Sequence, residues 1–113
     1  MALDLNKLKT KTFELKLLDG RVINIKKPNE DLIVEMENFE KEAPNSKCVQ
    51  DVFKKIKALT LIIINRNTEG VVFDYLFFEQ KGEDGELLYD YTVCAAIFAE
   101  YSKFTRGVLA NPN

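Results

Sequence analysis

At 113 residues and 13.0 kDa, 46% hydrophobic and 30% charged, the chain has the size and balance of one globular domain, not of a disordered or fibrous segment. Its 16 basic and 18 acidic groups leave a net charge of −2, without the basic surplus expected of a nucleic-acid binder. There is no histidine, so the usual general base near neutral pH and the commonest transition-metal ligand are both missing, and composition points away from an enzyme.

Residues 1–11 read as a flexible leader without the apolar core of a signal peptide. No apolar run approaches the roughly 20 residues that span a bilayer. A cytoplasmic protein that leaves membranes alone is the expectation. Residues 1–27 carry a net +4 and residues 28–46 a net −5, followed by +3 over 47–70 and −4 over 71–113. Such alternation usually marks solvated faces of neighbouring elements that attract each other weakly. The other reading is a basic arm (Lys7, Lys9, Lys11, Lys16) that docks on an acidic partner.

The clearest local structure is a β-hairpin over 12–27. Thr12 to Leu17 and Arg21 to Lys27 alternate apolar and polar residues around Asp19-Gly20. A two-residue loop would split the apolar set between faces. The three-residue loop Leu18-Asp19-Gly20 instead pairs Leu15 with Ile23 and Phe13 with Ile25. It collects Phe13, Leu15, Leu17, Ile23 and Ile25 on one face, with Gly20 in the left-handed position. Two strands are marginal alone, so this face must pack on helices.

Pro28-Asn29 ends the second strand, and Asn29 can cap an acidic helix over 29–43 with Leu32, Ile33, Met36, Phe39 and Ala43 as its apolar stripe. Pro44-Asn45-Ser46 breaks it, and Ser46 can cap the next helix, 47–65. There Val49, Val52, Phe53, Ile56, Leu59, Thr60 and Ile63 recur at helical spacing. Leu61, Ile62 and Ile64 suggest that its last turns are buried nearly all round, although the run could also be strand. Residues 71–80, mostly apolar, read as a short helix from Tyr75 to Gln80 capped by Asp74, or as a strand. A last amphipathic helix is expected over 86–106, from Leu87, Tyr91, Cys94, Ile97, Phe98, Tyr101 and Phe104. The whole is a single α+β domain, a hairpin packed on three to four helices.

Chemistry-bearing patterns are sparse. Serine and cysteine have no imidazole partner, and the five glycines are scattered at 20, 70, 82, 85 and 107 rather than clustered in a phosphate loop. Glu83, Asp84 and Glu86 lack the spacing of a calcium loop and read as a solvated turn. No catalytic, cofactor or metal residue is assigned. Cys48 and Cys94 fit no zinc pattern and read as two reduced core thiols, with a disulfide as the lesser reading.

Nine of the twelve aromatics lie between Phe73 and Phe104. A hairpin face, three amphipathic helices and the 71–80 run offer much apolar surface for so short a chain. The surplus should face a copy of itself or an amphipathic client helix. On that argument Phe73, Tyr75, Phe77, Phe78, Tyr101 and Phe104 are the candidate partner-binding residues.

The ordered combination of a short leader, the hairpin FELKLLDGRVINIKKP, an acidic helix, a longer apolar helix ending in NRNTEG and the closing stretch AIFAEYSKFTRGVLANPN resembles the small tail assembly chaperones of long-tailed bacteriophages and prophages of low-GC Gram-positive bacteria. The resemblance implies a non-enzymatic protein of the host bacterial cytoplasm, without cofactors. It would coat the long helical tape-measure protein, keep it soluble, help recruit tail-tube protein and be absent from the finished particle. Two other classes fit the same chain: a structural virion component such as a head–tail connector or tube subunit, and a small bacterial protein–protein interaction module.

Overall fold

In the computed structural model, which describes residues 2–110, the segment read as a leader contains a short helix, α1 (Leu5–Thr10). Asp4 caps it, its carboxylate accepting from the N–H groups of Asn6 (3.0 Å) and Lys7 (3.4 Å). The cap, which satisfies donors at the helix start, is the local signal that the reading of 1–11 passed over. None of the α1 residues is buried.

Strands β1 (Thr12–Lys16) and β2 (Val22–Lys26) pair antiparallel with Leu15 opposite Ile23 and Phe13 opposite Ile25, the expected register. Leu17 N–H donates to the Arg21 carbonyl (2.8 Å) and Gly20 N–H to the Leu17 carbonyl (2.9 Å), closing the three-residue loop. Gly20 has φ +93°, a conformation that costs glycine little and other residues much. Ile23 and Ile25 are sealed, Leu17 is buried, and Phe13 and Leu15 are half-buried on the same face.

The outer edge of β2 is covered by the loop that follows the third helix. Lys26 N–H donates to the Arg66 carbonyl (3.0 Å) and Thr68 N–H to the Asn24 carbonyl (2.8 Å). The Glu69 carboxylate accepts from the main chain and side chain of Asn24 at 2.8 and 3.1 Å.

Helix α2 (Glu30–Glu42) is capped by Asn29, whose side-chain oxygen accepts from Leu32 N–H at 2.8 Å. It buries Leu32 and Met36, and Phe39 meets Phe98 edge-on at 5.4 Å. A 3-10 turn over Ala43–Asn45 follows, with Pro44 inside it. Helix α3 (Val49–Ile64) is preceded by Cys48 rather than capped by Ser46, whose hydroxyl accepts instead from Cys48 N–H at 3.3 Å. Leu61 to Ile64 form its last turn, not a strand, and burial there is one-sided: Ile63 and Ile64 are sealed, while Ile62 is 44% exposed.

Helix α4 spans Tyr91–Ala110, starting later and ending later than the 86–106 expected. Asp90 sets the start by accepting from the N–H groups of Thr92 and Val93, both at 3.1 Å. Leu87, in phase with Tyr91 and Cys94 in sequence, bridges to Lys81 instead, because Gly82 N–H donates to Glu86 and Leu88 N–H to Gln80 across a tight turn. At the other end the helix passes straight through Gly107. Of the two readings of 71–80 the capped short helix is the one found, as a 3-10 helix over Tyr75–Glu79 with the Asp74 carboxylate accepting from Leu76 N–H at 3.0 Å, while Val71 to Asp74 form no regular element.

Two asparagine side chains steer the chain between α3 and that turn. Asn65 accepts from Phe73 N–H (2.7 Å) and donates to Phe73 carbonyl (2.9 Å), as a neighbouring strand would. Asn67, buried, accepts from Glu69 and Val71 N–H and donates to the carbonyls of Ile64 and Val71. Each amide therefore satisfies main-chain groups that no ladder reaches.

One core joins the hairpin (Leu17, Ile23, Ile25), α2 (Leu32, Met36), α3 (Ile56, Leu59, Ile63, Ile64) and α4 (Cys94, Ile97, Phe98, Tyr101). The molecule is a thin slab, 53 × 34 × 18 Å. Its radius of gyration, 15.3 Å, exceeds the roughly 13 Å of a compact domain of this length. Among the described residues no helix is long and apolar enough to cross a membrane.

Candidate functional site

The aromatic run closes on the hairpin tip. The Phe77 ring lies 4.8 Å from Phe73, 5.5 Å from Phe78 and 4.2 Å from Tyr89, centroid to centroid. Arg21, from the hairpin, places its guanidinium 5.7 Å from the Phe73 centroid. The Tyr89 hydroxyl accepts from Leu18 N–H at 3.0 Å, fastening the same cluster to the loop. These ring contacts, edge-on to Phe73 and Phe78 and tilted to Tyr89, pack the 3-10 turn against the body of the domain.

That packing corrects most of the expected partner surface. Phe73, Phe78 and Tyr101 are buried within the chain, and Phe77 and Phe104 are half-buried against the core. Of the six, Tyr75 alone is on the surface, at 60% exposure. No phenylalanine of the chain is exposed. The physical reason is cover supplied from far away in sequence: the hairpin tip and the Tyr89 segment shield Phe73, Phe77 and Phe78, while Phe13 shields Tyr101 and Phe104 at 5.7 and 5.8 Å.

The apolar surplus is nevertheless present, carried by other residues. Val72 is 87% exposed and Leu76 67%, on either side of Tyr75. Sequence reasoning passed over these two because it ranked aromatics above aliphatics within one run. Val72, Tyr75 and Leu76 thus point to solvent from a segment whose phenylalanines, Phe73, Phe77 and Phe78, pack inward.

A second apolar feature lies between β1 and α4. A groove of about 480 Å³ is floored by Phe13, Leu15, Leu17, Val93, Ala96 and Ile97, with Glu14, Lys16 and Glu100 beside them. Its strand wall is the edge of the sheet that β2 does not occupy.

Burial pushes the Tyr101 hydroxyl up to about 12, and the group donates to the Lys26 carbonyl. Burial also raises Tyr89 and the Cys94 thiol. Hydrogen bonds from Thr92 hold the Asp90 carboxyl below its usual range, in keeping with its capping role. The expectation of two core thiols holds for Cys94 only; Cys48, ahead of α3, is exposed, and both are free. Among the described residues no group of three or more acidic or cysteine side chains is placed to hold a metal ion. Glu83, Asp84 and Glu86 are exposed in their turn. No family model, no curated protein and no solved structure matches the chain.

Proposed function

We propose that the chain is a non-enzymatic binding protein of the tail assembly chaperone type, which shelters apolar stripes of a tape-measure protein until tail-tube subunits enclose it. The observation that carries this reading is the outward triad Val72, Tyr75 and Leu76 on a turn fixed from beneath by Phe73, Phe77 and Phe78. A turn whose main chain is held in place before binding loses little backbone freedom on contact, so such a knob suits the apolar face of a helix. The exposed area is small, which keeps each contact weak enough to be displaced. Many copies along one client supply avidity in place of tight single contacts.

Co-expression of the chain with a phage tape-measure protein, followed by pull-down, tests the reading. Val72→Ser/Leu76→Ser should leave thermal unfolding nearly unchanged and abolish retention of the client. Full retention by this folded variant would overturn the proposal. Substitutions at Phe77 and Phe78 are unsuitable for the purpose, because these rings hold the fold together.

A further inference from the structure

We infer that the free edge of β1 is a two-fold pairing surface for a second copy of this chain. The inference is independent of the client-binding reading. It starts from the ladder. Leu17 N–H donates inward to Arg21, so by the two-residue period the main-chain groups of Leu15 and Phe13 also face β2, while those of Glu14 and Lys16 face outward. Strand β2 obeys the same period on its far side, where Asn24 and Lys26 turn outward and are met by Thr68 and Arg66. Glu14 and Lys16 have no such cover: among the described residues no main-chain group bonds to theirs across that edge.

An uncovered edge is a template for another strand, and charged side chains normally guard it. Here the guard is self-complementary. If two β1 edges run antiparallel about an axis through Leu15, Glu14 of each copy lies opposite Lys16 of the other. The segment Glu14-Leu15-Lys16 is its own electrostatic complement when read backwards. The same alignment makes Glu14 and Lys16 the mutually hydrogen-bonded pairs, which is where their outward main-chain groups require them to be. Directly opposed unlike charges favour a cross-strand pairing and like charges oppose it, so the two residues set the register.

The other face of the joint is apolar. Leu15 of one copy would lie beside Leu15 of the other, over the groove that Val93, Ala96 and Ile97 leave open in each chain. Ala96 is small and on the surface, so a second chain can approach α4 closely there. The ladder ends at the loop, since Leu18 N–H is already taken by Tyr89. A short ladder means a dimer that forms and dissociates with concentration.

Sedimentation velocity of the full chain over a range of concentrations is the experiment. The wild type should shift from monomer to dimer as concentration rises. Glu14→Lys alone and Lys16→Glu alone should each weaken the dimer about tenfold or more, because both symmetry-related pairs become like-charged. An equimolar mixture of the two single variants should recover the dimer, and so should the doubly exchanged E14K/K16E chain. Both residues are exposed, and circular dichroism verifies that each variant is folded. A wild type that stays monomeric throughout, a dimer indifferent to the single exchanges, or a mixture that fails to recover would each overturn the inference.

Discussion

The hydroxyl of Tyr101 donates to the carbonyl of Lys26, joining the middle of α4 to the last residue of β2 across 75 positions of sequence. The ring is fully buried, with Phe13 edge-on to it. Burial disfavours the phenolate, so ionisation is pushed from 10.0 up to about 12. A group whose folded value is raised contributes stability that is complete below its unfolded value and is lost as pH rises through the folded one. Urea unfolding should therefore show a contribution of roughly 2–3 kcal/mol disappearing between pH 10 and 12. Tyr101→Phe should cost about 1 kcal/mol at pH 8 through the missing hydrogen bond, and that deficit should shrink and reverse towards pH 12.

Gly20 and Gly107 should respond to alanine with opposite signs. Gly20 has φ +93°, where a Cβ is strained even though nothing crowds the position, so Gly20→Ala should destabilise by about 1 kcal/mol. Gly107 lies inside α4 with ordinary helical geometry and open space around it. Gly107→Ala should stabilise by about 0.5–1 kcal/mol, through reduced freedom of the unfolded chain. Thermal unfolding of the two variants is the measurement.

The two thiols should separate cleanly in a labelling experiment. Cys48 is exposed, whereas Cys94 is sealed and burial raises its ionisation, so little thiolate is present there. A maleimide at neutral pH should modify one site per folded chain, mapped by peptide mass to Cys48. Cys94 should react only when denaturant is added.

Neighbouring isoleucines on α3 provide a test of its orientation. Ile63 is sealed and Ile62 is 44% exposed. Ile63→Ala should cost about 2–5 kcal/mol, the range for truncating a sealed aliphatic side chain. Ile62→Ala should stay within about 0.5 kcal/mol. Equilibrium denaturation of the pair distinguishes them.

The hairpin was legible because one face is buried: a shift of a single residue would have turned Leu15, Ile23 and Ile25 outward, so the apolar alternation left one loop length. The caps Asn29 and Asp74 were legible for a similar reason, each being a short polar side chain directly ahead of an apolar segment. The start of α4 was not. Leu87 keeps step with Tyr91 and Cys94, and its place in a turn follows from bonds to Gln80 and Lys81 that periodicity does not contain. The candidate surface was legible as a segment and not as residues. A surplus of apolar groups at 71–78 follows from composition, but which of them face inward depended on the Tyr89 segment and the hairpin tip, both distant in sequence. Hence Val72 and Leu76 stand outside where Phe77 and Phe78 were expected.

The amides of Asn65 and Asn67 set a clock on the protein. Each uses its nitrogen to meet carbonyl oxygens, those of Phe73 in one case and of Ile64 and Val71 in the other. Hydrolysis of either amide, water adding as ammonia leaves, would replace that donor with a carboxylate oxygen aimed at carbonyl oxygens, acceptors facing an acceptor. Stored material that ages by this route should release the 66–73 segment, and with it the strand cover of β2, before any peptide bond is cut. Resistance to ageing is thus tied to two side chains whose bonds hold main chain in place.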